Sequence, residues 1–244
     1  MLTISDNGPR LVRMEAAVAW IDLGGADTGN VLTRQQMTML SEAIRIAGAD
    51  PDVSVVAIAP GGAAFCLGRN GKGEPAEARP WDARQKQMGV TLDVYDAIAA
   101  CPIPVVACVQ GNAIGFGAAL AGGCDITLAV HGARFALPEI KHAIPATLAM
   151  SALIRKLPEK ALAHLIYSGE EISAEDALAL GLVSKVFPAE AFEESCAAYL
   201  SALASRKRLL LETIKRYISK APQLSPEMAS EYAGTLMALV KPSI

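Results

Sequence analysis

The chain has 244 residues, a net charge of −3, and 52% hydrophobic residues against 19% charged ones. This slightly acidic, charge-poor composition gives no electrostatic reason to expect a nucleic acid or an acidic membrane surface as a partner. The large apolar fraction predicts one large core and additional buried surface, which we expect to lie in contacts between subunits.

The five cysteines are odd in number and include no Cys-x-x-Cys pair. The sequence therefore predicts neither a zinc site nor a redox pair, and no metal is expected. We interpret the cysteines as buried free thiols and expect a cytoplasmic location, where thiols stay reduced. Residues 1–13 lack an apolar segment of signal-peptide length, and no uninterrupted apolar run is long enough to span a membrane, so no membrane is expected as a partner.

Apolar runs alternate with helical patterns along the first half of the chain. Segments 53–59, 105–109 and 126–130 are rich in β-branched residues and predict strands buried on both faces. Apolar residues at helical spacing predict helices over 32–47 and 82–100. This alternation predicts an α/β fold.

The end of the chain has a different pattern. From Pro188 onward it predicts helices only, over 189–205, 207–219 and 226–240. We therefore divide the chain into a core, residues 1–187, and a C-terminal helical region, residues 188–244.

The segment 111–125 carries the strongest functional signal. It comes after an apolar strand pattern and contains Gly111, Gly115 and Gly117, then a run of small residues. Such a segment allows backbone N–H groups to approach a ligand where a helix begins, and those groups can hold an oxyanion or polarise a carbonyl. The segment lacks the third glycine of a dinucleotide fingerprint, and Gly71-Lys72-Gly73 does not complete a phosphate-binding loop.

Several motifs occur in one order: segments 30–33, 64–70, 111–125, 133–140, 167–177 and 181–186. Together they resemble the enoyl-CoA hydratase/isomerase family, also called the crotonase superfamily, over nearly the whole chain. The resemblance implies a spiral of β-β-α turns with a C-terminal helical trimerisation region. It also implies an acyl-CoA thioester as substrate, with coenzyme A as part of that substrate and no separate cofactor, and a homotrimer or hexamer as the assembly.

The resemblance also implies the site residues. The backbone N–H groups of Arg69 and Phe116 map to an oxyanion hole, and Glu139 maps to a catalytic carboxylate. Leu67 and Lys72 map to the loop that binds coenzyme A. His142 lies three residues after Glu139, on the same face of a helical turn, and is a weaker candidate for a second acid or base because a lone histidine more often has a structural role.

One position departs from the family pattern. Hydratases of this family use two glutamates, and the first of these positions is Ala119 here, whereas the second is Glu139. One carboxylate can take a proton from C2 of an enoyl-CoA and return it at C4, so we expect isomerase chemistry. The alternatives are a hydratase with a non-standard second group and a non-catalytic acyl-CoA-binding or assembly subunit.

Overall fold

The computed structural model describes residues 8–70 and 80–240. The strands are β1 (Arg10–Glu15), β2 (Val18–Asp22), β3 (Val55–Ile58), β4 (Ala64–Cys66), β5 (Val105–Val109), β6 (Asn112–Ile114), β7 (Ile126–Val130), β8 (Arg134–Ala136), β9 (Ile172–Ser173) and β10 (Lys185–Phe187). The α-helices are α1 (Arg34–Ala49), α2 (Pro80–Ala100), α3 (Phe116–Gly123), α4 (Thr147–Leu153), α5 (Glu159–Ser168), α6 (Ala174–Ala179), α7 (Phe192–Ala204), α8 (Arg208–Lys220) and α9 (Pro226–Val240). Short 3-10 helices connect several of these, including one over Pro138–His142.

Three successive β-β-α units form a spiral: β3-β4-α2, β5-β6-α3 and β7-β8-α4. The first strand of each unit joins a six-stranded sheet of order β1-β2-β3-β5-β7-β10, and the second joins a four-stranded sheet of order β4-β6-β8-β9. Within the large sheet only the β1–β2 pairing is antiparallel, and within the small sheet only the β8–β9 pairing is. The α/β spiral expected from the resemblance is therefore confirmed.

The strands predicted from apolar runs are the interior of the large sheet. Every residue of β3 and β5 is buried, because one face of the sheet packs against the main core and the other against α7. Such strands read as continuous apolar runs rather than as an alternating pattern.

The predicted helix over 32–47 is α1, displaced by two residues at each end. It begins after Thr33, whose side chain accepts a hydrogen bond from the backbone of Gln36, while the Gln36 side chain accepts one from the Thr33 backbone. This capping box satisfies backbone donors at the helix start, so the helix begins at Arg34 rather than at Leu32.

The C-terminal helices are joined to the core by polar contacts as well as by packing. Phe192, Cys196 and Leu200 of α7 pack against the large sheet. On α8, the guanidinium of Arg208 donates hydrogen bonds to three backbone carbonyls at the end of α1 and in the turn after it, those of Gly48, Asp50 and Val53.

Lys215 of α8 is 92% buried and makes the deepest of these contacts. Its Nζ donates to the carbonyls of Ile98 at 3.0 Å and Ile103 at 2.9 Å, and it lies 2.6 Å from Asp125 Oδ2. Asp125 Oδ2 also accepts a hydrogen bond from the Val105 N–H. A buried charge is tolerated when it is paired and hydrogen-bonded in this way.

None of the helices within residues 8–70 and 80–240 has both the length and the apolar character needed to cross a bilayer.

Candidate functional site

The candidate site lies at one edge of the small sheet. Strands β4, β6 and β8 are parallel neighbours, so their carboxyl ends meet at the same edge. Arg69, Phe116 and Glu139 each lie two or three residues beyond the end of one of these strands. The fold therefore brings together three residues that are far apart in the sequence.

The N–H group of Arg69 points away from Leu32, the residue with which Arg69 pairs. The Leu32 N–H donates to the Gly68 carbonyl at 3.1 Å, and the Asn70 N–H donates to the Leu32 carbonyl at 2.8 Å. In extended chain, successive N–H groups point to opposite sides, so the N–H of Arg69 faces the other way. It donates no hydrogen bond to any residue in the described ranges, and it is therefore available to a ligand.

The N–H group of Phe116 is the first of α3. Gly115 precedes it with φ 55° and ψ −116°, a conformation suited to glycine, and the Gly115 N–H donates to the Ala136 carbonyl at 2.8 Å. The first N–H groups of a helix have no intrahelical acceptor and carry a partial positive charge. No described residue accepts a hydrogen bond from the Phe116 N–H, so this group too can hold an oxyanion.

Gly117 allows α3 to lie directly against β4. A Cβ atom at this position would lie 2.0 Å from the backbone oxygen of Cys66. This distance is too short for any side chain, so only glycine fits here. This close approach holds the start of α3 beside the loop that carries Arg69. The glycine segment therefore has a packing role and a ligand-facing role at the same time.

Cys66 braces the loop that carries Arg69. Its Sγ donates to the Gly68 carbonyl at 3.4 Å, and burial raises the pKa of the thiol to about 12. The thiol therefore stays protonated at neutral pH and is a poor nucleophile. These observations agree with the interpretation of the cysteines as buried free thiols.

Glu139 lies in the 3-10 helix over Pro138–His142 and is half-buried. A Cβ atom on Gly115 would lie 3.5 Å from its Oε1, so the carboxylate is beside the start of α3. Its Oε2 is buried and has no hydrogen-bond partner among the residues that the structure describes. Buried polar atoms are nearly always paired, so this oxygen is suited to a bound ligand.

The other residues named from the sequence lie around this centre or outside the described residues. His142 is exposed at the end of the same 3-10 helix, and Leu67 is 44% exposed beside Gly29. Lys72 lies outside the described residues. Ala119 is fully buried in α3, and its methyl group can neither accept nor donate a proton. No group of three or more potential metal ligands occurs in the described part of the chain.

Tyr95 of α2 is a polar neighbour of the site that the sequence analysis did not single out. Its ring stacks on that of Phe116, with centroids 5.9 Å apart and ring planes 24° apart. Burial, and next the charge of Glu139, raise the pKa of its phenol, while Arg69 opposes the shift. From the sequence it was one apolar position of a helix, and only the packing of α2 on α3 brings it to the site.

An apolar cavity of about 650 Å³ lies between the 3-10 helix, α4 and α5. Ile140, Ile144 and Met150 are among its lining residues, whereas Glu139 and Arg69 are not. Two of the lining residues are well exposed, Ile144 at 50% and Tyr167 at 77%. The cavity is therefore an apolar surface next to the candidate site, rather than the site itself.

Comparisons with known proteins agree with this architecture. Residues 13–238 match the family model described as enoyl-CoA hydratase/isomerase. Among curated proteins, the enoyl-CoA hydratase domain-containing protein 3, mitochondrial, of Rattus norvegicus is 29% identical over 237 residues, covering 96% of this chain and 78% of the relative. The 2,3-dehydroadipyl-CoA hydratase of Escherichia coli (strain K12) is 28% identical over 218 residues, covering 88% of this chain and 83% of the relative.

Solved structures show the same fold. An enoyl-CoA hydratase from Mycobacterium smegmatis superposes with a TM-score of 0.88 at 31% identity, covering 95% of this chain and 90% of that one. The structure of human enoyl coenzyme A hydratase domain-containing protein 3 superposes with a TM-score of 0.86 at 25% identity, covering 96% and 91%. The family model spans most of the chain, and the spiral of β-β-α turns is shared. The chain therefore belongs to the enoyl-CoA hydratase/isomerase family.

Proposed function

We propose that the protein binds an acyl-CoA thioester, polarises its carbonyl with the N–H groups of Arg69 and Phe116, and moves a proton at the α-carbon with Glu139. One observation carries the proposal: Glu139 Oε2 is buried beside the start of α3 and has no hydrogen-bond partner among the described residues. Family membership supports acyl-CoA thioesters as the substrate class. Coenzyme A enters as part of the substrate, and we assign Leu67 and Lys72 to its loop.

The proposed reaction begins when the Glu139 carboxylate takes a proton from the α-carbon. The electron pair of that C–H bond moves into the carbonyl system, and the thioester oxygen gains negative charge. Two aligned N–H donors stabilise this oxygen by about 3 kcal/mol each in a site that excludes water. The helix dipole of α3 adds to the effect at Phe116.

We propose isomerisation of a 3-enoyl-CoA as the overall reaction, because it needs only one proton-transfer group. Glu139 takes the proton at C2 and returns it at C4 while the oxyanion hole holds the dienolate. Hydration needs a group to activate water and a group to deliver a proton. Ala119 can do neither, since its side chain is a buried methyl group.

A hydratase is the second candidate. The named relatives in Escherichia coli and Mycobacterium smegmatis are called hydratases, and this favours the same reaction here if another residue replaces the missing carboxylate. The third candidate, a non-catalytic acyl-CoA-binding or assembly subunit, is favoured by Ala119 and opposed by the unpaired Glu139 oxygen.

We further propose that the chain assembles as a homotrimer or as a dimer of trimers. Apolar side chains on α8 and α9 remain exposed in a single chain, including Ile214, Ile218, Met237 and Leu239. Light scattering tests this, and a stable monomer at micromolar concentration contradicts it.

We also propose a cytoplasmic location. Five free, buried thiols support it, and cell fractionation tests it.

The test of function measures exchange of α-protons of an acyl-CoA in deuterated water. We expect the wild type to exchange them and Glu139→Gln to slow exchange by about 1,000-fold, since the amide cannot accept the proton. Glu170→Gln, at an exposed position, is the matched control and keeps the wild-type rate. Absence of exchange in the wild type contradicts enolate chemistry.

Rates on two substrates then separate the candidate reactions. The isomerase proposal expects conversion of a 3-enoyl-CoA to exceed hydration of a 2-enoyl-CoA. Faster hydration that survives Glu139→Gln would contradict both the reaction and the role of that residue.

A further inference from the structure

The segment 29–32 pairs with the loop that carries Arg69. The Gly29 carbonyl accepts a hydrogen bond from the Leu67 N–H at 2.9 Å, and Leu32 forms a parallel β-bridge with Arg69. The hydrogen bonds of Leu32 are made to the residues on either side of Arg69, so the Arg69 N–H faces the opposite side. The direction of this N–H therefore depends on where the segment 29–32 lies.

Asn30, the first residue of the motif 30–33, attaches this segment to the start of β4. Its side chain is fully buried, and its Nδ2 donates hydrogen bonds to the carbonyls of Ala64 at 2.8 Å and Gly61 at 3.0 Å. Its Oδ1 accepts a hydrogen bond from the Gly25 N–H at 3.1 Å. Because Ala64 is the first residue of β4, one buried amide joins the segment to the strand and to the loop that follows it.

The backbone of Asn30 also favours asparagine at this position. Its φ is 55°, in the left-handed region, which few residues other than glycine and asparagine adopt readily. Its N–H donates to the Gly25 carbonyl at 2.7 Å, so main chain and side chain hold the same turn. Glycine would adopt this backbone but would supply none of the side-chain hydrogen bonds.

Gln110 supplies a second amide to the turn before β4. Its Nε2 donates to the carbonyls of Ala64 at 2.9 Å and Gly62 at 3.2 Å. Gln110 directly follows β5, and among the described residues its side chain makes no hydrogen bond to the segment 29–32. Of these two amides, only that of Asn30 belongs to the segment that pairs with the loop of the site.

We propose that Asn30 is a positioning residue that sets the direction of the Arg69 N–H. It acts through the Leu32 bridge and does not touch the substrate. This inference rests on the proposed function, because the direction of this N–H affects the rate only if the group stabilises the thioester oxygen. An oxyanion donor works at about 3 Å from the developing charge and weakens steeply when it is misaligned. A small displacement of the segment 29–32 is therefore enough to slow the reaction.

Asn30→Gly tests the proposal because it keeps the left-handed backbone and removes the amide. We expect α-proton exchange per folded molecule to slow by about 10- to 100-fold, less than the loss of a whole oxyanion donor. KM is expected to stay within about threefold, since the donor acts mainly on charge that develops after binding. Asn30→Asp is the second variant, which keeps the size and the Oδ1 acceptor but sets an oxygen against the two carbonyls, and it is expected to slow exchange at least as much.

Gln110→Leu is the matched control. It removes donors to the same turn but leaves Asn30 and its segment in place, so exchange per folded molecule is expected to stay within twofold of the wild type. Near-UV circular dichroism gives the folded fraction of each variant, and the melting temperature is expected to fall in both Asn30→Gly and Gln110→Leu.

A spectroscopic measurement separates positioning from a purely structural role. Butanoyl-CoA labelled with ¹³C at the carbonyl is bound to each protein, and its carbonyl band is recorded. We expect the band to move to lower frequency in the wild type and in Gln110→Leu, and to return part of the way in Asn30→Gly. A structural role alone would lower the melting temperature and leave the band in place.

The outcomes distinguish this inference from the proposed function. Exchange in Asn30→Gly within twofold of the wild type, a carbonyl band identical in those two proteins, or equal slowing in Gln110→Leu overturns the positioning role of Asn30. If the wild type exchanges no proton, the proposed function fails, and the band still decides whether Asn30 positions the donor. A wild-type band at its solution frequency overturns both.

Discussion

The six-stranded and four-stranded sheets differ in strand length, in burial and in the segments to which their strands lead. The interior strands β3 and β5 of the large sheet have four and five residues, all buried. Each is followed by a connection to the next strand of the small sheet. The parallel strands β4, β6 and β8 of the small sheet have three residues each, and each leads directly to a residue of the candidate site. The large sheet therefore supplies the apolar core, while the small sheet fixes the relative positions of three loops.

Among changes that affect only one of the two sheets, Arg69→Pro is expected to have the largest effect. It changes the α-proton exchange rate through the loop that follows β4 of the small sheet. Proline removes the N–H of residue 69, one of the two that face the site, and this group donates to no described residue, so no structural hydrogen bond is lost. We expect α-proton exchange to fall by about 100- to 1,000-fold. Arg69→Ala keeps the N–H and is the matched control, with exchange expected to stay within severalfold of the wild type. Equal loss of activity in both variants would show that the side chain, not the backbone, acts on the thioester.

Ile58→Ala, in the large sheet, is expected to lower stability and leave the exchange rate nearly unchanged. Ile58 ends β3 and is fully buried, so the substitution leaves a cavity and lowers the free energy of unfolding by about 3 kcal/mol. The exchange rate per folded molecule is expected to stay within twofold, because β3 does not lead directly to a loop of the site. Urea unfolding measures the first effect, with Ile46→Ala as the control, since Ile46 is 52% exposed. A large loss of specific activity would show that the two sheets are not separable.

Alkaline pH is expected to lower the free energy of unfolding through two buried thiols of the main core. Burial is the largest cause that raises the pKa of Cys66 and of Cys124 to about 12, whereas unfolded thiols ionise near pH 8.5. The unfolded chain therefore releases these protons first, so the stability is complete below pH 8.5 and falls as pH rises toward 12. The expected slope is about 1.4 kcal/mol per pH unit for each thiol.

The thiols of Cys66 and Cys124 donate to carbonyls in different parts of the fold. Cys66→Ala and Cys124→Ala each remove one thiol from the alkaline slope measured by urea unfolding. Only Cys66→Ala is expected to slow exchange, by severalfold, because its Sγ holds the Gly68 carbonyl of the site loop while that of Cys124 holds the Leu120 carbonyl at 3.2 Å. Equal rates in the two variants would contradict a bracing role for Cys66.

The two sheets were not equally predictable from the sequence. Strands β3, β5 and β7 were predicted because residues buried on both faces form apolar runs that need no partner to be recognised. Strands of two or three residues, such as β8 and β9, carry too few positions for a period to be detected. The small sheet was expected only through the ordered motifs that resemble a known family.

The candidate site shows the same limit. Arg69, Phe116 and Glu139 were named from motif positions, but the side on which each N–H group points depends on pairings such as that of Leu32 with Asn70. Tyr95 carried no local signal, because a tyrosine at an apolar helical position is most often a core residue. Its place beside Phe116 results from the packing of α2 on α3, which is a long-range property.

The contacts of α8 have a consequence for the timing of folding during synthesis. Lys215 pairs with carbonyls 117 and 112 residues earlier in the chain, and Arg208 with one 160 residues earlier. The last strand, β10, ends 21 residues before Arg208 and 28 before Lys215. At about 5 to 20 residues per second, the ribosome therefore makes all the strands about 1 to 6 seconds before these two side chains. During that interval the carbonyls of Ile98 and Ile103 lack their Lys215 donor, and Asp125 has only its longer 3.6 Å pairing with Lys156. The nascent chain therefore completes its core only after α8 has been made, and removal of α8 would leave the sheets without these polar contacts.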